Sequence, residues 1–173
     1  MRWMWIDRVV ELVPREKLVA IKGVSLAEEH LHDHFPTTGD RPATPIMPMS
    51  LIVEGMAQSA GVLVGHAEAF REKVVLAKVS RAELTEDAVP GDQLRYTATI
   101  ESMTDVGAST KGVIELIRYE DGKPGAPREI GRVDLMFSHL DNNMGGATFP
   151  EHNFVFGESF RTLLRSSGVE IPG

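Results

Sequence analysis

The feature that most constrains the fold of this chain is a segment, residues 49–70, that is apolar on every face of a helix. Pro48 stands just before it and Ser50 is a candidate N-cap, and both residue types are common at helix starts. A helix that is apolar all round must be enclosed by other elements, because no face of it is suited to water. Its longest apolar stretch, 51–65, contains Glu54 and falls short of the roughly 20 apolar residues that span a bilayer, so we expect burial within protein.

Segments of alternating hydrophobicity, typical of half-buried β-strands, flank this helix on both sides. One covers residues 17–24 before the helix, and four follow it at 73–84, 93–104, 110–120 and 129–140. Antiparallel strands wrapped round one buried helix satisfy this pattern, so we predict an α+β fold. The alternative, an open two-layer sheet with the helix on one side, would leave an apolar helix face in water.

The composition of the 173 residues excludes several function classes. The chain has no cysteine, which excludes disulfides, a thiol nucleophile and zinc sites built on thiolates. Its formal charge of -7 argues against broad binding to nucleic acids or anionic membranes. The N-terminal residues reach Asp7 and Arg8 before an apolar signal-peptide core develops, so we expect a soluble, cytoplasmic protein of one domain.

Glu54 is the first candidate for chemistry. It lies two turns inside the apolar segment, with no lysine or arginine at helical spacing to pair with it. Burying an unpaired carboxylate costs several kcal/mol, so such a group tends to hold a proton, which is what a general acid requires. The alternative interpretation is a solvated side chain that faces a polar gap or a subunit surface.

Three alternating histidines are the second candidate. On a strand, His30, His32 and His34 would share one face, which is a geometry for a metal ion. The other interpretation is a polar strand edge beside a loop. His34 is followed by Phe35-Pro36, which we expect to keep the backbone extended and to hold the imidazole at a rigid loop.

The start of the apolar helix is the third candidate. Around Pro48, Met49 and Ser50, free backbone N–H groups and the positive end of the helix dipole face the proline-rich loop at 36–48. Such an arrangement can stabilise an oxyanion that develops on a carbonyl group. Every helix has such an end, so this candidate carries weight only together with the other two.

These candidates belong to three short motifs that follow each other in order. The motifs are HFP at residues 34–36, PIMP at 45–48 and EGMAQ at 54–58. In this order they resemble the hydroxyacyl-[acyl-carrier-protein] dehydratases of bacterial fatty-acid synthesis, of the FabZ type. The pattern of that family is H-F-P-G-x-P-x-M-P-G, a short apolar stretch, and then E-A-x-A-Q. The similarity extends over about residues 5–140.

The resemblance implies a hotdog fold, an antiparallel sheet wrapped round one long buried helix, in a homodimer or an assembly of dimers with active sites at subunit interfaces. It implies that His34 takes the proton from C2 of a (3R)-hydroxyacyl thioester and that Glu54 of the partner subunit helps the C3 hydroxyl leave as water. The thioester is expected on acyl carrier protein or coenzyme A, and neither a metal nor an organic cofactor is expected. The expected substrate-binding residues are Phe35, Pro48, Met49 and Gln58.

The chain departs from the family pattern at three places. Residues 37–44 form a loop insertion between the first two motifs. Met49 stands where the pattern has glycine, so a side chain can crowd the thioester oxygen, although the backbone N–H is kept. Residues 85–87 replace the basic residues that often follow the post-helix strand in the family. The remaining candidates for docking an acidic carrier are Arg71, Lys73, Lys78 and Arg81.

The resemblance also suggests how the chain is divided and which functions stay open. It predicts a dehydratase-like domain over residues 1–140 and a C-terminal extension over 141–173. The residue pattern of the extension predicts a short helix around 158–166. Retention of both His34 and Glu54 favours dehydration over a hotdog acyl thioesterase, which shares the fold and a helix carboxylate but hydrolyses its substrate. A non-catalytic acyl-thioester-binding protein is the other alternative, suggested by the longer loop and Met49, since a shared fold does not fix function.

Overall fold

The computed structural model describes residues 3–140, 150 and 152–171 of the chain. In that part the strands are β1 (Arg8–Val13), β2 (Lys17–Gly23), β3 (Val74–Leu84), β4 (Gln93–Thr104), β5 (Gly107–Ile117), β6 (Tyr119–Glu120), β7 (Lys123–Pro124) and β8 (Arg128–His139). The helices are α1 (Glu29–Asp33), α2 (Met49–Ala67) and α3 (Glu158–Ser166).

The long strands form one antiparallel sheet that encloses α2. Six strands pair in the order β1-β2-β4-β5-β8-β3, which leaves β1 and β3 at the two edges. The helix packs against five of these strands, and Met56 and Leu63 on it are completely buried. The predicted α+β hotdog fold is therefore confirmed. Among the described residues, no helix combines the length and the apolar character needed to cross a bilayer.

A glycine in α2 allows the helix to lie close to the sheet and to the N-terminal segment. A Cβ atom on Gly55 would lie 2.5 Å from Tyr96 Oη and 2.8 Å from the carbonyl oxygen of Trp5. Tyr96 is completely buried in β4 and has little room to move aside. Gly55 stands where the family pattern has alanine, and the size of Tyr96 explains the difference.

The start of α2 differs from the predicted one. Pro48 occupies the N-cap position and no side chain caps the helix, so Ser50 is not the cap. The Pro48 carbonyl accepts hydrogen bonds from the backbone N–H groups of Leu51 and Ile52, at 2.9 and 3.2 Å. The amides of Met49 and Ser50 precede these first intrahelical donors and therefore face outward from the end of the helix.

The predicted strand at 110–120 is displaced and divided. β5 ends at Ile117, and β6 then pairs with β7 in a separate small hairpin. Asp121 and Gly122 form its turn with positive φ angles of 50° and 74°. Asp-Gly is a favoured pair for such two-residue turns, so the sequence carried the signal for this hairpin.

The C-terminal segment, residues 152–171, packs back onto the sheet. The helix predicted at its centre is present as α3, which buries Leu163 and Leu164. Ser167 Oγ accepts a hydrogen bond of 3.0 Å from the backbone N–H of Val9, so the segment covers part of edge strand β1. Residues 141–149 and 151 lie outside the described residues, and the first part of the predicted extension falls there.

Candidate active site

His34 follows α1 and is held by the loop that leads to α2. Its Nδ1 lies 2.6 Å from the carbonyl oxygen of Ile46, three residues before the helix begins. A carbonyl oxygen only accepts hydrogen bonds, so in the neutral ring Nδ1 carries the proton and Nε2 has a free lone pair. This tautomer is the one in which an imidazole can take a proton from a substrate through Nε2.

The alternating histidines do not lie on a strand, so the geometry assumed for a metal ion is wrong. His30 and His32 belong to the short helix α1, and His34 follows its end. In a helix, residues two positions apart lie on different faces. Across the described ranges, no three His, Asp or Glu side chains are placed so that they could hold a metal ion. His30 packs against Trp5 with ring centroids 5.1 Å apart, and desolvation by burial lowers its pKa.

A residue before proline is expected to have an extended backbone, but Phe35, which precedes Pro36, does not. Its φ angle is 56°, and its carbonyl accepts a hydrogen bond of 3.0 Å from the backbone N–H of Thr44. This bond joins the two ends of the insertion at 37–44, so the insertion forms a closed loop between the first and the second motif. The Phe35 ring lies against the His34 ring with centroids 4.3 Å apart, which restricts the orientation of the imidazole.

Glu54 is half-buried on α2 and is held by neutral donors. Its Oε1 accepts hydrogen bonds of 3.0 Å from both the indole N–H of Trp3 and Nε2–H of Gln58. The absence of a basic residue at helical spacing is therefore compensated by an amide and an indole. Both bonds go to the same oxygen, Oε1, and the Glu54 side chain also lines the neighbouring cavity.

Gln58 connects Glu54 to the N-terminal segment. Its Oε1 accepts a hydrogen bond of 2.8 Å from the backbone N–H of Trp5, and its Nε2 also donates to the Trp3 carbonyl at 3.2 Å. The side chain is buried and its amide hydrogens are used within the chain. Its contacts position the Glu54 carboxyl, whereas the role in substrate binding stays a prediction.

The cavity beside Glu54 is polar at one end and apolar over the rest. Its volume is about 260 Å³, and Trp3, Glu54 and Gln58 supply the polar groups. The remaining wall comes from the apolar face of α2, the first residues of β3, Phe137 of β8 and the C-terminal segment. Such a cavity fits a ligand with one polar group and an apolar tail.

His34 and Glu54 are not joined within one subunit. Among the described residues, no hydrogen bond connects the two side chains, and His34 does not line the cavity of Glu54. A row of edge-to-face rings links their surroundings instead, with Trp3 and Trp5 at 5.4 Å and Trp5 and His30 at 5.1 Å. The expectation that the two groups meet in one site between subunits stays a prediction.

Met49 and Pro48 lie at the start of α2, outside the Glu54 cavity. The Met49 side chain is 46% exposed and borders a separate cavity together with Glu86 and Asp87. It does not fill the space beside the carboxyl. The backbone N–H of Met49 is among those that face outward from the helix end, where an anionic oxygen is favoured.

The basic residues proposed for docking an acidic carrier are not equally accessible. Lys73 is buried, so this expectation is wrong for that residue. Arg81 is exposed but pairs with Glu83 at 2.5 Å. Glu86, one of the acidic residues after β3, is paired with Arg118 and Arg128, so its charge is offset locally.

The sequence motifs do not indicate two parts of this site. Trp3 belongs to none of the motifs, although its alternation with Trp5 predicts an extended segment with both rings on one side. The wall residues of the C-terminal segment carry no local signal, because nothing in their sequence indicates where the chain folds back.

Comparison with known proteins gives a consistent family. The family model described as the FabA-like domain matches residues 2–123. The chain is 38% identical over 122 residues to 3-hydroxyacyl-[acyl-carrier-protein] dehydratase FabZ of Streptococcus agalactiae, covering 70% of this chain and 79% of the relative. It is 34% identical over 126 residues to the protein of the same name from Ligilactobacillus salivarius, covering 72% and 83%.

Solved structures with a similar fold differ in the activity for which they are named. The dehydratase heterocomplex ApeI:P from Xenorhabdus doucetiae matches with a TM-score of 0.57 at 15% identity, over 79% of this chain and 83% of that chain. An acyl-CoA hydrolase from Staphylococcus aureus matches with a TM-score of 0.52 at 16% identity, over 73% and 66%. At these identities the similarity shows the fold alone.

Proposed function

The chain belongs to the FabA-like domain family, and we therefore propose that it dehydrates (3R)-hydroxyacyl thioesters to trans-2-enoyl thioesters in fatty-acid or related acyl-chain synthesis. The observation that carries this proposal is the pair of functional groups. His34 is held so that Nε2 is free, and Glu54 lies at the polar end of an apolar cavity. The relatives named as FabZ dehydratases support an acyl-carrier-protein thioester as the substrate.

The two groups divide the proton transfers of the reaction. His34 Nε2 takes the proton from C2, and the electrons of that C–H bond form the C2–C3 double bond. Glu54 donates a proton from its carboxyl group to the C3 hydroxyl, whose C–O bond breaks so that water leaves. The proton on the imidazolium then returns to the carboxylate through solvent, which restores both groups.

The start of α2 stabilises the charge that develops during proton abstraction. As C2 loses its proton, negative charge moves to the thioester carbonyl oxygen. The outward-facing amides of Met49 and Ser50 and the helix dipole favour an anion at that place. Methionine retains the N–H that glycine supplies in the family pattern. Pro48 fixes the backbone at the helix start, and Phe35 restricts the imidazole from the other side.

The complete site is formed between two subunits that pair through β3. This edge strand is 11 residues long, and its Leu76 and Val79 side chains are each 42% exposed. The other edge strand, β1, has six residues and is partly covered by the C-terminal segment, as the bond from Val9 to Ser167 shows. A long, uncovered edge with apolar side chains is a template for pairing with a second copy.

A lysine in place of Val79 is expected to dissociate the dimer. Val79 is the middle residue of β3, so antiparallel pairing about a two-fold axis brings it near its own copy. Two lysines there would repel each other, and we expect the dimer Kd to rise by about tenfold or more. Sedimentation velocity over a concentration series measures this change.

The matched control is a lysine in place of Val10, which is 50% exposed on the other edge strand. This variant is expected to keep the wild-type Kd. Dissociation by Val10→Lys with no effect of Val79→Lys would move the interface to β1 and contradict the proposal.

The activity itself is tested with two measurements on one reaction. Crotonyl thioesters of acyl carrier protein and of coenzyme A are incubated with the protein, and enoyl absorbance and free thiol are followed together. Loss of enoyl absorbance without thiol release supports a dehydratase working in reverse. Thiol release without hydration identifies an acyl thioesterase, and binding without turnover identifies a non-catalytic protein.

A further inference from the structure

We propose that the C-terminal segment sets the acyl-chain length that the enzyme accepts, because it closes the far end of the cavity beside Glu54. This inference rests on the proposed dehydratase function and adds the substrate class to it. Val155, Phe156 and Phe160 of the segment line the cavity together with α2, β3 and β8. They are the only part of the wall that comes from outside the sheet, its helix and the N-terminal segment, within the described residues.

The position of this wall along α2 follows from the helix geometry. The cavity runs along α2 from Glu54 to Gly61. These residues are seven positions apart, which is about 10 Å along the helix axis at about 1.5 Å per residue. Gly65 lies one turn further, and a Cβ on it would collide with the Phe156 ring. Phe156 thus packs beyond the apolar end, while the carboxyl stands at the other end.

The closing wall is firmly attached. Asn153 Nδ2 donates to the carbonyl oxygens of Phe70 and Glu72 at 2.9 and 3.0 Å, and Asn153 Oδ1 accepts the Val155 backbone N–H at 3.1 Å. The Phe156 ring is buried and meets the Phe70 ring edge to face, with centroids 4.9 Å apart. A wall held by these contacts does not yield to a longer ligand without losing them.

The size of the cavity gives the substrate class. An extended acyl chain with C–C bonds of about 1.5 Å advances by about 1.3 Å per bond along its axis. With C3 of the acyl chain at Glu54, the remaining length of about 10 Å therefore holds about eight carbons. The volume of about 260 Å³ is below the roughly 300–1,000 Å³ of drug-sized ligand pockets. Chains up to 3-hydroxydecanoyl therefore fit, and 3-hydroxytetradecanoyl does not.

The wall lies outside the part of the chain that the family model matches. That match ends at residue 123, whereas the wall is formed by residues after 152. The role of this segment in selection by chain length is therefore inferred from the contacts of this chain alone.

The test is the dependence of kcat/KM on chain length, measured with 3-hydroxybutyryl, -octanoyl, -decanoyl and -tetradecanoyl thioesters. Phe160→Ala is expected to raise the tetradecanoyl-to-octanoyl ratio by about tenfold or more, because it opens the closed end. Gly61→Leu fills the cavity from α2 and is expected to lower the decanoyl-to-butyryl ratio by a similar factor. Phe154→Ala, at a 45% exposed residue of the same segment, serves as the control with an unchanged profile.

Circular dichroism and thermal unfolding first establish that each variant is folded. An active wild type together with a Phe160→Ala profile that equals the wild-type profile would overturn the inference and leave the proposed function intact. The inference is also overturned when the wild type prefers tetradecanoyl substrates. Absence of dehydration with every chain length in the wild type contradicts the proposed function itself.

Discussion

Replacing His34 by alanine or Glu54 by glutamine is expected to lower kcat by about 100-fold or more in each case, which is the scale of general acid–base catalysis. Alanine removes the base that takes the C2 proton, and glutamine cannot donate a proton to the leaving hydroxyl. Glutamine keeps the shape of the side chain and an oxygen that can accept from Trp3 and Gln58. The measurement is crotonyl-thioester hydration by dimers whose thermal unfolding matches the wild type.

The two variants also test whether the site is shared between subunits. When the two inactive variants are unfolded together and refolded at equal amounts, half of the dimers contain one chain of each kind. One of the two sites in such a dimer has both His34 and Glu54, so about a quarter of the wild-type activity is expected to return. Recovery that stays at the level of the separate variants would contradict the interface site. Near-normal kcat in either variant alone would remove the role assigned to that residue.

Gly55→Ala is expected to lower the free energy of unfolding by about 2–3 kcal/mol, at the upper end of the cost of overpacking a core. The added methyl would lie 2.5 Å from Tyr96 Oη and 2.8 Å from the Trp5 carbonyl oxygen. The helix must shift away from the sheet to make room, and the buried tyrosine limits that shift. Urea unfolding followed by circular dichroism measures the change.

Gly61→Ala is the matched control on the same helix. Its Cβ would lie 3.6 Å from Phe137 Cε1, an ordinary contact distance. Since alanine favours a helix over glycine by roughly 0.5–1 kcal/mol, this variant is expected to be slightly more stable than the wild type. Equal destabilisation by both substitutions would contradict the explanation that alanine at Gly55 is unfavourable because of its contacts with Tyr96 and Trp5.

The sequence was informative wherever a periodic pattern or a contiguous motif carried the signal. The apolar segment beginning at Met49 predicted the enclosed helix, because a helix that is apolar on all faces has no face suited to water. Alternation predicted the strands that surround it, and the motifs selected His34 and Glu54. Each of these signals is local, so neighbouring residues in the chain were sufficient to detect it.

The missed features depend on contacts between distant parts of the chain. The left-handed backbone at Phe35 results from a hydrogen bond to Thr44 across the insertion, which outweighs the preference of a residue before proline. Burial of Lys73 and the return of Phe156 to α2 likewise depend on the tertiary fold. No periodicity or motif encodes such contacts, so a single sequence does not predict them.

The hydrogen bond between Trp3 and Glu54 gives the molecule its own optical reporter. The chain has two tryptophans, and both Trp3 and Trp5 belong to the row of rings that begins at the carboxyl. All intrinsic tryptophan emission therefore comes from Trp3, which is hydrogen-bonded to Glu54, and from Trp5, whose ring contacts the Trp3 ring. A ligand that enters the cavity displaces water from the 61% exposed indole of Trp3, so occupancy can be followed by fluorescence without a label.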